Sequence, residues 1–146
     1  MKETLGICSD HAGFELKEIV KQLLTDRGYL FHDFGTTSAE SCDYPDFAHL
    51  LGRAIESGEY ARGIAVCGTG NGMAITLNKY PSVRAGICWQ PEIAHLISAH
   101  NKANILVLPG RFITKELAEK VLDEYLNTPF EGGRHQRRID KIVDKG

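Results

Sequence analysis

Cys67 ends the apolar run Ile64-Ala65-Val66 and is followed at once by Gly68-Thr69-Gly70-Asn71-Gly72-Met73. Glycine at every second position removes the side chains that would hold a ligand off the backbone. Several N–H groups can therefore converge on one anion or developing oxyanion. A helix starting near Gly72 adds its positive end to the same field. Such surroundings lower a thiol pKa toward neutrality, giving a nucleophile or a base for a carbon acid. A tight strand-to-helix turn with an inert buried cysteine is the alternative that these residues alone leave open.

Three other groups of residues invite chemistry. Asp10-His11 follows the run Leu5–Cys8, where a short polar pair can face a cleft, although Asp10 is equally suited to capping the next helix. His100-Asn101 stands at a helix end, where an exposed imidazole can move protons near neutral pH; an idle surface histidine is the other reading. Arg134 and Arg138 share one helical face and suit a phosphate held by two guanidinium forks, with Arg111 as a third contributor. Basic residues near a C-terminus also serve simply to balance a helix dipole.

No metal or cofactor is expected. His95 and His100 do not share a helical face, and the four cysteines (Cys8, Cys42, Cys67, Cys88) include no Cys-x-x-Cys pair. Gly68-Thr69-Gly70-Asn71-Gly72 lacks dinucleotide-loop spacing, and no Lys-Ser or Lys-Thr follows it as a phosphate-binding P-loop requires.

The elements that must position these groups alternate. Leu5–Cys8 reads as a strand, and Leu16, Ile19, Val20, Leu23 and Leu24 recur at helical spacing up to Arg27-Gly28. Tyr29–Phe34 is a second strand. A polar segment from Thr36 to Pro45 precedes a helix with Phe47, Leu50, Leu51, Ala54 and Ile55 inward. Ile64–Cys67 is a third strand, residues 73–79 a short helix and Val83–Cys88 a fourth strand. Pro91 opens the next helix, Ile105–Leu108 is a fifth strand, and Thr114 is placed to cap a helix burying Leu117, Ala118, Val121, Leu122, Tyr125 and Leu126. A linker over residues 128–133 leads to a basic helix over Arg134–Val143.

Strand and helix in alternation predict a single three-layer α/β/α domain over residues 1–146, with a five-stranded parallel sheet in flavodoxin-like order. In that arrangement the strand order reverses between strands one and three, where ligands bind. Asp10-His11 and the Cys67 turn should meet there.

The 146 residues carry a net charge of −2 and 42% hydrophobic residues, so no electrostatic footprint for nucleic acid or an anionic membrane is present. No apolar stretch is long enough to span a bilayer, and no signal-like core opens the chain. A cytoplasmic protein acting on a small anion is the expectation.

Ser9-Asp10-His11-Ala12-Gly13-Phe14, Asp43-Tyr44-Pro45-Asp46, Cys67-Gly68-Thr69-Gly70-Asn71-Gly72, Asn78-Lys79, His100-Asn101 and Gly132-Gly133-Arg134-His135-Gln136-Arg137-Arg138-Ile139 occur in this order. The set resembles the type B ribose-5-phosphate isomerases, a family that includes the subunits of galactose-6-phosphate isomerase. The resemblance implies a metal-free aldose–ketose isomerisation of a phosphorylated sugar, with ring opening and proton transfer between C2 and C1 through a cis-enediolate. By the same resemblance Cys67 matches the thiol base, and Met73 stands where another branch carries a glutamate. His100 and Asp10 match ring-opening positions, and Thr69 matches the hydroxyl that moves protons among the sugar oxygens. The backbone of Gly68, Gly70, Asn71 and Gly72 matches the oxyanion cradle. Tyr44 and Asn101 match sugar-hydroxyl contacts, and His11, Arg111, Arg134 and Arg138 match the phosphate grip. The resemblance further implies a homodimer or dimer of dimers with a site shared between subunits, residues 128–146 packing on a neighbour. Ribose 5-phosphate is the substrate so implied. A hexose 6-phosphate such as galactose or allose 6-phosphate, or a non-catalytic sugar-phosphate-binding subunit, are the alternatives. Ser98 and Lys102 replace an arginine and an aspartate common among relatives.

Overall fold

The computed structural model describes residues 2–146. Five strands, β1 (Thr4–Ser9), β2 (Leu30–Asp33), β3 (Gly63–Cys67), β4 (Ala85–Ile87) and β5 (Ile105–Pro109), pair in parallel throughout. The helices are α1 (Phe14–Asp26), α2 (Tyr44–Glu56), α3 (Asn71–Leu77), α4 (Pro91–Ala99), α5 (Lys115–Asn127) and α6 (Arg134–Ile139). The strand order is β2-β1-β3-β5-β4.

Right-handed crossovers dictate which helix covers which face. The steps β1 to β2 and β4 to β5 run one way across the sheet, whereas β2 to β3 and β3 to β4 run the other way. Accordingly α1, α4 and α5 cover one face, with Val20, Leu24, Ala94, Val121 and Tyr125 packed on Ile7, Val66 and Leu108. Helices α2 and α3 cover the other, with Leu51, Met73 and Leu77 on Cys8, Ala65 and Val107. Residues of β3 and β5 alternate between the two cores, and every one of them is buried. Cys8 and Cys88 are fully buried core residues, as their apolar neighbours in sequence predict.

The expected α/β class with a five-stranded parallel sheet is present, and the reversal between β1 and β3 is where a flavodoxin-like order puts it. The last two strands, however, are exchanged relative to that order. The fully buried Ile-Leu-Val-Leu-Pro of β5 lies inside, and the three-residue, half-buried β4 takes the edge. A short strand suits an edge. There the Asn78 side chain receives the Ala85 N–H at 2.8 Å and donates to the Ala85 carbonyl at 3.0 Å, occupying part of the exposed ladder.

Local signals set most boundaries. Thr114 Oγ1 accepts the Leu117 N–H at 3.1 Å, capping α5 as expected. Helix α2 starts earlier than its apolar face suggests, taking Tyr44 and Pro45 into its first turn, because proline is tolerated there. Helix α6 stops at Ile139, short of Val143. Among the described residues no helix is long and apolar enough to cross a membrane.

Candidate active site

The carboxyl ends of β1 and β3 gather three loops. The Asp10 N–H donates to the Val66 carbonyl at 3.2 Å, pinning the first loop against the end of β3. The buried Asp10 carboxylate accepts the Gly13 N–H at 3.0 Å, closing the turn before α1. The second loop, between β2 and α2, is held by Lys17. Although wholly buried, its ammonium bonds both Asp33 oxygens at 2.7 and 2.8 Å and also the Thr36 carbonyl. Thr36 in turn donates its N–H to the Ser9 carbonyl at 2.9 Å, so this loop runs beside Asp10.

That loop fixes a tautomer. The Cys42 N–H donates to Nδ1 of His11 at 3.2 Å, so the hydrogen-bond network places the proton of the neutral ring on Nε2 and leaves it free to donate. Sequence reasoning assigned Cys42 no role, and no spacing relates residues 11 and 42.

The third loop is the glycine turn. Gly70 adopts φ 86°, a left-handed conformation, and a Cβ there would stand 3.1 Å from Ile87 and 3.2 Å from Val107. Thr69 Oγ1 accepts the Asn71 N–H at 3.2 Å. The Arg111 N–H donates to the Gly68 carbonyl at 3.0 Å, and its side chain lies over Gly68. Tyr44 packs its ring on Gly72. A cavity of about 270 Å³ beside the turn is walled by Thr69, Asn71, Ile87, Trp89, Pro109 and Phe112.

Cys67 is only 5% exposed. Backbone N–H groups of Met73, Gly70 and Gly72 face its sulfur and favour the thiolate. Burial nevertheless dominates, with the Asp10 charge acting in the same sense, and the thiol pKa is raised. The lowered pKa expected from the glycine turn is therefore corrected: short backbone dipoles do not offset removal of the sulfur from water.

A single chain does not bring the remaining candidates to this place. Helices connecting parallel strands run antiparallel to them, so the C-terminus of α4 returns to the amino end of the sheet. There the Arg84 guanidinium, at the start of β4, donates to the carbonyls of Asn101 and Lys102. Asn104 takes the Gly63 N–H at the start of β3. His100 and Asn101 are thus separated from Cys67 by about the length of β3, on the order of 13 Å. With His135, Arg138, Ile139 and Ile142 they line a separate cavity of about 300 Å³. Arg134 and Arg138 are exposed on α6 nearby.

At that end His100 and His135 stack, ring centroids 4.2 Å apart and 10° from parallel. Both Nε2 atoms approach Glu131 Oε1, at 3.7 and 3.5 Å. The Glu131 N–H donates to the Ala99 carbonyl at 2.9 Å, tying the linker to α4. Neither Glu131 nor His135 received a role from sequence. Their four-residue spacing was the available signal, but its partner, His100, lies far away in the chain. Ser98 is buried and donates to the Tyr125 carbonyl at 3.3 Å, facing α5 rather than either cavity.

A parallel α/β sheet with a thiol, an aspartate and an imidazole around a glycine turn at its switch point defines a class of small-molecule enzyme site. Residues 5–142 match the Ribose/Galactose Isomerase family, and this chain belongs to that family. It is 41% identical to ribose-5-phosphate isomerase B of Escherichia coli, over 92% of this chain and 90% of that protein. Its structure resembles that of a ribose 5-phosphate isomerase from Thermotoga maritima, with TM-score 0.95 and 52% identity over 97% of this chain and 98% of that one. It also resembles ribose-5-phosphate isomerase B from Mycoplasma genitalium with bound ribulose-5-phosphate, with TM-score 0.93 and 39% identity over 98% and 95% of the two chains.

Proposed function

We propose that this chain interconverts ribose 5-phosphate and ribulose 5-phosphate, with Cys67 as the base. Cys67 carries the reading: it ends β3 where the glycine turn begins, beside the Asp10 loop whose N–H bonds the Val66 carbonyl, with Tyr44 packed on Gly72 and the Arg111 side chain over Gly68. The Mycoplasma genitalium relative that binds ribulose-5-phosphate supports the substrate class.

In this mechanism the open-chain aldose loses its C2 proton to the Cys67 thiolate. Electrons of that C–H bond form the C1=C2 double bond, and the carbonyl π electrons move to O1, giving a cis-enediolate. The thiol returns the proton to C1, while Thr69 passes the O2 proton toward O1, leaving a ketone at C2. Backbone donors aimed at the enediolate oxygen are typically worth about 3 kcal/mol, on the order of a hundredfold in rate. A raised thiol pKa makes the thiolate a stronger base toward carbon, while reducing the fraction ionised at neutral pH. His11 and Arg111 hold the phosphate end, whose binding energy fixes the reacting carbons in geometry.

His100, Asn101, Arg134 and Arg138 enter from a second copy of the chain. Two copies related by a two-fold axis, each presenting the amino end of its sheet to the carboxyl end of the other, complete two equivalent sites. In this arrangement His100 opens the sugar ring and the α6 arginines close on the phosphate.

Turnover measured in parallel on ribose 5-phosphate, galactose 6-phosphate and allose 6-phosphate tests the proposal, together with exchange of the C2 proton with solvent. The pentose phosphate should be preferred. A clear hexose preference would move the substrate assignment, and binding without exchange would make the chain a non-catalytic subunit.

A further inference from the structure

The geometry points to a divalent transition-metal site formed by His100, Glu131 and His135, which a Zn²⁺-class ion occupies reversibly and which withdraws His100 from other work. One donor atom from each residue lies within 4.8 Å of the other two. Tetrahedral ligands about 2.0–2.1 Å from zinc stand roughly 3.3 Å apart. The separations of 3.7 and 3.5 Å from Glu131 Oε1 to the two Nε2 atoms are already close to that value.

The remaining adjustment is a turn of one ring, and it falls on the freer partner. Stacked rings cannot both aim their in-plane lone pairs at one ion, so one must turn. The His100 side chain is 37% exposed whereas that of His135 is 9% exposed, so His100 is the ring that moves. Glu131 is anchored by its backbone bond to Ala99, which limits the entropy lost when it ligates.

The ligand chemistry is suitable. Two imidazoles and one carboxylate are a borderline donor set that suits Zn²⁺ or Co²⁺ and leaves a fourth position open to water or an anion. Arg134 and Arg138 stand beside the cluster on the same short helix as His135. The same arginines oppose a cation, which sets the affinity below that of a structural zinc site. The linker over residues 128–133 carries one ligand, so metal occupancy also fastens α6 to α4.

Metal binding stands independently of the proposed reaction, whereas inhibition by metal rests on the isomerase reading through His100. The test therefore reads binding first. Isothermal titration of the full chain with ZnCl₂ should show one site per chain, and Co²⁺ should give the strong visible bands of a four- or five-coordinate ion. Glu131→Gln and His135→Gln should each weaken binding by tenfold or more, whereas His95→Gln should leave it unchanged. Affinity unaltered in both Glu131→Gln and His135→Gln, or a Co²⁺ spectrum with a thiolate charge-transfer band, would overturn the site. Inhibition of ribose 5-phosphate turnover by Zn²⁺ should follow the calorimetric affinity. Binding without inhibition would count against the His100 assignment while leaving the metal site intact.

Discussion

The ring of Tyr44 lies against the backbone of Gly72, with Cε1 standing 2.6 Å from the place a Cβ would occupy. The first turn of α2 thereby meets the glycine turn that follows β3, and neither can be altered alone. Gly72→Ala should cost about 1–3 kcal/mol of stability, as overpacking does. In a Tyr44→Ala background the same change should cost nothing, or gain up to about 1 kcal/mol from helix propensity. Urea unfolding of the four proteins measures the cycle. Additive effects would mean that Tyr44 is not the obstacle.

Cys67→Ala should lower kcat about 10²- to 10⁴-fold and abolish C2 proton exchange, while phosphate-dependent binding persists. The pH profile carries a sign. The base acts deprotonated, and burial raises its pKa, so the ascending limb of kcat/KM moves to higher pH. Activity should still be rising above about pH 8.5, the ordinary thiol value. A plateau reached well below that pH would contradict the assignment.

A site split between subunits predicts complementation. Cys67→Ala and His100→Ala chains, each crippled alone, should form mixed dimers with one intact and one doubly defective site. After subunit exchange to random pairing, about a quarter of wild-type activity should return, because half the dimers are mixed and half their sites are whole. No recovery despite demonstrated exchange would place His100 and Cys67 outside a common site.

Alkaline stability should fall. Burial pushes the Cys88 thiol up to about 12, and the buried Cys8 thiol and Tyr125 hydroxyl are raised further. A group whose folded pKa exceeds its unfolded value binds more protons when folded. Its stabilisation is full below the unfolded pKa and is lost as pH rises toward the folded one. Between pH 8.5 and 9.5, Cys88→Ala should make the loss of unfolding free energy shallower by about 1 kcal/mol. Equal slopes in wild type and variant would show that Cys88 titrates normally when folded.

Local regularities in the sequence determined much of this protein. Continuous apolar runs at Ile64–Cys67 and Ile105–Leu108, helical spacing from Leu16 to Leu24, the Thr114 cap and Pro91 each act within a few residues, so the elements and their parallel class were legible. The meeting of Asp10-His11 with the Cys67 turn followed from the class, because parallel sheets place ligands at a reversal of strand order. Tertiary structure decided the rest. Only packing sets β5 inside β4, because both are apolar and their order depends on which one buries more. Only the return of α4 to the amino end of the sheet separates His100 from Cys67, and only the docked linker puts Glu131 between two imidazoles. The Cys67 pKa makes the same point: the donors that favour its thiolate are adjacent in sequence, while the burial that outweighs them comes from the whole fold.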